Sequence, residues 1–314
     1  MSTVTDEPLP RVPAPWLFTG SSWVIPLHTP FSETPIPLPA GSYAPFEAGS
    51  TADLSRRYHG GVGLVLVLRY DHSDVGPYDE LILIPGLFSN EHEGEGVKYD
   101  WAITRIIVSS DKSTVNGRPE WGMPKHRGVF SFTPSPSSSS STLITVAHPT
   151  SPDEPYFRTV VRDSWATPFP PPVSTHWLAL GPIKALLAGY KPSLVQLPLP
   201  AALGDAAVGE AKLAQLRETA QRLDAFVACP KPLRVDFAAT GRCRICVVEP
   251  APYGEGERRS GGDKLDDEDK EREWAELGDG VGFPRVKPLS RVANFHLTRF
   301  SMDLAKGVVV KLKL

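Results

Sequence analysis

The chain reads as a β-rich α+β domain, and three observations carry that reading. Short apolar or β-branched runs, bounded by Gly, Pro, Asp or Ser, recur through its first half, as strands do. Prolines number 33 in 314 residues and cluster in stretches where they break helices. Only two segments show helical periodicity.

Taken in order, Gly63 to Tyr70, Glu80 to Ile84, Ile103 to Ser109 and Leu143 to Ala147 are strand runs. Several are apolar at every position, the pattern of strands covered on both faces. Pro26 to Pro45, Pro168 to Pro172 and Pro192 to Pro200 read as irregular connections. The serine run at 134–142 lies between strand-like Phe130 to Thr133 and Leu143 to Val146 and reads as an exposed, poorly ordered hairpin loop. His176 to Tyr190 is one predicted helix, with Gly181-Pro182 interrupting its pattern. Glu210 to Val227 is the other: Leu213, Leu216, Ala220, Leu223 and Val227 share one stripe, while Lys212, Arg217, Glu218 and Arg222 face away. Strand character returns at Leu233 to Phe237, Cys243 to Glu249 and Val292 to Phe300. The charged stretch at about 254–282 cannot bury enough apolar surface to offset its ordering entropy and reads as a mobile insertion in a single domain spanning 1–314.

Composition narrows the function. A net charge of −3, with no block of Lys and Arg interleaved with aromatics, gives no electrostatic case for nucleic acid or an anionic membrane. No apolar run approaches the ~18 residues needed to cross a bilayer, and the start Met1 to Glu7 lacks the features of a signal peptide. Three cysteines fit a reducing compartment, so the expectation is a cytoplasmic protein. No metal is expected. Cys243 and Cys246 have CxxC spacing but lack a second pair, and in a strand they point to opposite faces. The His92-Glu93-Gly94-Glu95 run lacks a histidine partner at i+4, and Gly60 to Gly63 precede a strand rather than a phosphate-cradling helix.

Asn116 to His126 is the most informative stretch, because it places Lys125 directly after Trp121-Gly122-Met123-Pro124. Residue chemistry leaves two readings. The first, which it favours, is a strand-end lysine that snorkels to water. The second is an amine held inside, where burial disfavours the charged form and leaves a nucleophile able to form a Schiff base with a carbonyl.

Gly117-Arg118 followed by Trp121-Gly122-x-Pro124-Lys125 resembles the segment around the catalytic lysine of the acetoacetate decarboxylase superfamily. Upstream, Gly76-Pro77-Tyr78-Asp79-Glu80-Leu81 resembles that family's Gly-x-Tyr-x-Glu segment, and Arg105 to Ser110 reads as the strand leading to the lysine loop. The resemblance runs from about Pro13 to Phe132 and continues as strand pattern towards Phe300. It implies a closed, conical antiparallel β-barrel with peripheral helices, a small carbonyl substrate, no cofactor and a homo-oligomer. It makes Lys125 the Schiff-base nucleophile and Glu80 an acid/base. Arg118 would pair with Glu80, with a substrate carboxylate, or with a structural partner holding the lysine loop. His126 would shuttle protons or cap the loop, and Tyr78, Trp101, Trp121 and Met123 would complete the pocket.

Two departures bear on mechanism. His126 stands where the family has a second lysine, so activation of Lys125 is expected to rest on desolvation. Gly20-Ser21-Ser22-Trp23 corresponds to a region where the family carries a carboxylate-binding arginine, and Gly63 to Leu68 lacks an acidic residue expected there. The reading is therefore a lysine-imine lyase, decarboxylation of a 3-oxo acid first. Aldol-type or dehydration chemistry and a non-catalytic barrel for an apolar ligand are the alternatives.

Overall fold

A computed structural model describes residues 9–135, 138–175, 193–200, 228–251 and 276–313. Besides one short 3-10 helix, Ser55–Arg57, the described residues form seventeen strands and one α-helix. In chain order these are β1 (Trp16–Thr29), β2 (Gly61–His72), β3 (Tyr78–Ile84), β4 (Leu87–His92), β5 (Gly96–Trp101), β6 (Arg105–Val108), α1 (Asp111–Trp121), β7 (Lys125–Arg127), β8 (Val129–Ser135), β9 (Ser138–His148), β10 (Ser151–Asp163), β11 (Pro172–Ser174), β12 (Leu194–Gln196), β13 (Leu233–Val235), β14 (Phe237–Pro250), β15 (Asn294–Leu304), β16 (Val308–Val309) and β17 (Leu312–Lys313). The main sheet runs β7-β6-β3-β2-β1-β15-β14-β10-β9-β8, with β11 beside β14. A second sheet runs β16-β13-β12-β5-β4-β17.

Most ladders are antiparallel. The exceptions are β5 with β12 and, at the site, β6 with β7, where Ile106, Ile107 and Val108 face Lys125, His126 and Arg127. Parallel neighbours need a crossover, and α1 supplies it.

Alternation along the strands sends side chains to two cores. One face of the main sheet carries Trp23, Ile25, Val65, Val67, Leu81, Leu83, Ile107, Ile144 and Phe157. The other carries Trp16, Phe18, Tyr70, Tyr78, Ile106, Val108, Trp121 and Met123. A one-residue step in β6 or β7 therefore changes core.

Several expectations need correction. The serine run is not a long loop: β8 and β9 continue through it to the pair Ser135 and Ser138, and Ser141 is buried. Pro26 lies inside β1, opposite Leu64 of β2. Its missing N–H is tolerated because the β15 ladder ends at Val24, while its carbonyl accepts from Leu289 N. The last part of the expected insertion, 276–282, is a folded turn. Leu277 is fully buried, and Asp279 Oδ1 accepts from the backbone N–H groups of Val281, Gly282 and Phe283. The rest of that insertion, 254–275, lies outside the described residues, as do the predicted helices His176 to Tyr190 and Glu210 to Val227.

Candidate active site

Helix α1 was not expected, and it builds the site. Its sequence, with Val115, Gly117 and Pro119, is a weak helix former. Ser110 caps it, accepting from Ser113 N at 3.3 Å. Gly122 ends it in the left-handed region at φ 66°, returning its N–H to the Arg118 carbonyl at 2.9 Å. Pro119 cannot donate to the Val115 carbonyl, and Arg11 Nη1 donates there instead at 2.7 Å. Asn116 ties the same N-terminal segment down, accepting from Val12 N at 2.8 Å and donating to the Pro10 carbonyl at 3.1 Å.

Lys125, the first residue of β7, lies across this helix. Its side chain is 3% exposed, so the snorkelling alternative is excluded. The side chain passes over Gly117, where a Cβ would stand 2.7 Å from Lys125 Cε and 3.2 Å from Nζ. Only glycine leaves that path open.

The amine meets three oxygens: Glu80 Oε2 at 2.9 Å, Ser113 Oγ at 2.8 Å and Tyr78 Oη at 3.4 Å. Glu80 comes from β3, opposite Val108 of β6, and its Oε1 accepts from the Tyr70 hydroxyl at 3.2 Å. Burial, with the nearby Glu80 charge, holds both Tyr70 and Tyr78 well above the ordinary tyrosine range. Both phenols therefore remain protonated donors. Tyr78 and Trp16 present their rings to Nζ at 5.4 and 6.0 Å, and Trp121 packs edge-on against Trp16 with centroids 4.8 Å apart. Buried Met123 belongs to the same wall. The desolvated amine is thus also balanced by a carboxylate, which desolvation alone did not foresee.

Three expected site residues stand elsewhere. His126 follows Lys125 in a strand, so it points to the opposite face, where its Nε2 meets Glu47 Oε2 at 2.7 Å. Arg118 is completely buried, and its Nη1 bonds to Glu47 Oε1 at 2.9 Å and to the Lys125 carbonyl at 3.3 Å. It pairs with Glu47 and fixes the backbone of the lysine, which is the structural reading of the three given for it. Trp101 sits in β5 at the rim of the apolar core, with its indole donating to the Val62 carbonyl at 2.9 Å.

Glu47 is the hub of this second cluster. Burial would raise its pKa, but His126 and Arg118 together outweigh that and bring it down to about 2. Burial lowers His126, against the pull of Glu47.

Ser113, Tyr70, Trp16 and Glu47 were missed in the sequence, and Gly117 was named only within the motif, without a role. Ser110-Asp111 ahead of Gly122 was the available signal for α1, and with it for Ser113.

No family model matches the chain. A curated relative, protein NEOXANTHIN-DEFICIENT 1 of Oryza sativa subsp. japonica, is 31% identical over 119 residues, which are 38% of this chain and 34% of that protein. The match spans about a third of the relative's length. Among solved structures, acetoacetate decarboxylase from Legionella pneumophila subsp. pneumophila str. Philadelphia 1 aligns with 98% of this chain and 93% of its own, at 12% identity and a TM-score of 0.47. The enduracididine biosynthesis enzyme MppR, complexed with the condensation product of pyruvate and imidazole 4-carboxaldehyde, aligns over 95% and 90%, at 14% identity and 0.45. An acetoacetate decarboxylase-like enzyme from Sphingomonas wittichii RW1 aligns over 96% and 94%, at 11% identity and 0.44. The structural neighbours are acetoacetate decarboxylase and enzymes like it.

Proposed function

We propose that the chain is an acetoacetate decarboxylase-like lyase that binds a carbonyl substrate as an imine on Lys125. One observation carries the reading: a lysine buried in an aromatic wall, with its amine held between Glu80 and Ser113. Ser113 and Tyr78 face the amine's remaining N–H donors, and glycine at 117 leaves room for the side chain to pass. Glu80 takes a proton from the amine, which frees the nitrogen lone pair to attack the carbonyl carbon. The resulting iminium is the electron sink for cleavage of the neighbouring carbon–carbon bond. With a 3-oxo acid, that cleavage releases carbon dioxide.

One observation favours a second reading, aldol-type or dehydration chemistry on an uncharged carbonyl. Arg118 is turned to Glu47, and Arg105 donates to the Gly282 carbonyl at 2.7 Å. Among the described residues, these contacts take both arginines to groups other than the amine's partners, so neither is placed as a clamp for a substrate carboxylate. The relative named for a neoxanthin deficiency also fits a site for a larger apolar compound, up to a barrel that binds one without chemistry.

Borohydride reduction in the presence of acetoacetate, and separately of an uncharged methyl ketone, tests these readings by peptide mass mapping. A reduced adduct on Lys125 is expected. Labelling spread over surface lysines, or none, refutes the imine.

A further inference from the structure

We propose that Ser113 is a catalytic residue, the proton relay between the Lys125 nitrogen and the substrate oxygen during imine formation. The inference rests on the imine reading and supplies the proton path that reading lacks. Ser113 is wholly buried in the first turn of α1, with its backbone held by the Ser110 cap and its hydroxyl 2.8 Å from Nζ. The Tyr78 hydroxyl lies 3.4 Å from the same nitrogen, and Glu80 Oε1 accepts from the Tyr70 hydroxyl at 3.2 Å. Glu80, Ser113 and Tyr78 thus surround one buried nitrogen with groups that can exchange protons.

The geometry around the nitrogen assigns the roles. An ammonium has three protons, and here it meets three acceptors, so a lone pair appears only when one proton leaves. Tyr78 Oη is the weakest contact at 3.4 Å and yields most readily to an incoming carbonyl. Glu80 accepts the first proton. The nitrogen then attacks the carbonyl carbon: a C–N bond forms, and the C=O π pair moves to oxygen.

That oxygen must now gain a proton while the nitrogen, carrying two hydrogens and a positive charge, must lose one. Glu80 is already protonated and cannot serve as acceptor. Ser113 Oγ touches the nitrogen, takes its proton and passes its own to the oxygen, giving a neutral carbinolamine. Glu80 then returns its proton to the hydroxyl, the C–O bond breaks, and water leaves. The products are an iminium, a carboxylate and water, which balance the starting ammonium, carboxylate and carbonyl.

The test uses the intact protein with pentane-2,4-dione, whose adduct with an amine is a conjugated enaminone read by ultraviolet absorbance. Wild type, Ser113→Ala, Ser113→Thr and Lys125→Ala are compared for rate and final extent of adduct, with circular dichroism melting as a check on folding. Ser113→Ala should form the adduct about 10²-fold more slowly but to the same extent, the lower end of what a positioned acid–base group contributes. Ser113→Thr should recover most of the rate. Deuterium oxide should slow wild type more than Ser113→Ala, a readout that stands even if threonine does not fit.

An unchanged rate in Ser113→Ala, with the adduct still absent in Lys125→Ala, overturns the relay and leaves the imine intact. A lower extent that tracks lost melting transition and no isotope difference assigns Ser113 a structural role and overturns the relay. Absence of any adduct in wild type overturns the imine reading and the relay with it.

Discussion

Replacing Gly117 with alanine should separate activity from stability. Gly117 lies within α1, so alanine is the better helix former there by up to ~1 kcal/mol. Its methyl group, however, would stand 2.7 Å from Lys125 Cε and 2.9 Å from Cδ. The lysine must retreat by about 0.7 Å to reach ordinary van der Waals contact, while its amine is already bonded at 2.8 and 2.9 Å. A shift of that size stretches both contacts beyond good hydrogen-bond range. Overpacking a full interior typically costs ~1–3 kcal/mol, which the helix gain partly offsets, so the net loss should stay below about 2 kcal/mol. A misplacement approaching 1 Å at a reacting atom costs on the order of 10²-fold in rate. Urea unfolding with Gly117→Ala should therefore show a folded protein of near wild-type stability. Adduct formation with pentane-2,4-dione should fall about 10²-fold. A wild-type rate in this variant would refute the claim that the path over Gly117 positions the amine.

Arg118→Met should cost roughly 3–5 kcal/mol in urea unfolding, because it leaves Glu47 buried without its guanidinium partner; a loss under 1 kcal/mol would contradict that. Glu47 has a folded pKa of about 2 against 4.5 unfolded, so its contribution is fully present above 4.5 and is lost as pH falls towards 2. That window is worth roughly 3 kcal/mol at most. His126 is also lowered, so its contribution likewise fades with acid, from about its ordinary value downward. Unfolding free energies measured from pH 7 to pH 3 should decline in wild type and decline less in Glu47→Gln. His126→Ala should leave adduct rates unchanged, since its imidazole faces the other side of β7, and a tenfold drop would show coupling across the strand. Acetoacetate should be a poor substrate beside an uncharged ketone, by roughly ten- to a hundredfold for one missing charge-assisted contact; parity would show that another group holds the carboxylate.

Short-range pattern revealed the lysine half of this site, and long-range pairing hid the rest. Lys125, Glu80 and Tyr78 lie in two local segments whose residue order carried their meaning, and β3 and β6 were visible as apolar runs. Helix α1 was not visible. Its residues are buried on several sides, so no amphipathic stripe marks it, and Pro119 is tolerated only because Arg11, 104 residues away, serves the carbonyl it leaves unpaired. The partner of Arg118 and His126 was equally hidden. Glu47 sits 71 and 79 residues upstream, just after a proline-rich stretch that reads as loop, yet it is fully buried. The serine run misled for a different reason: composition argued for solvent, while the register from Val129 to Ser135 against β9 kept it in the sheet.

The two-face logic of β7 also bears on how such a site is kept workable. A cation beside an amine lowers its pKa and helps it lose a proton, whereas a second carboxylate would hold that proton on the nitrogen. Here the neighbouring residue in sequence, His126, and the arginine of α1, Arg118, both belong to a Glu47 cluster, which reaches the lysine through its backbone carbonyl. The strand thereby divides the ionisable groups into two sets. One anchors the loop in place. The other, Lys125 with Glu80, Ser113 and the two tyrosines, is left with one basic nitrogen, one carboxylate and three hydroxyls in contact. Such a set can exchange protons internally without changing its total charge, which is the condition for acid–base chemistry in a buried site. Moving a charge into that set should therefore be more damaging than removing one from the anchor. Tyr70→Glu, which places a second carboxylate beside Glu80, should abolish adduct formation while His126→Ala does not.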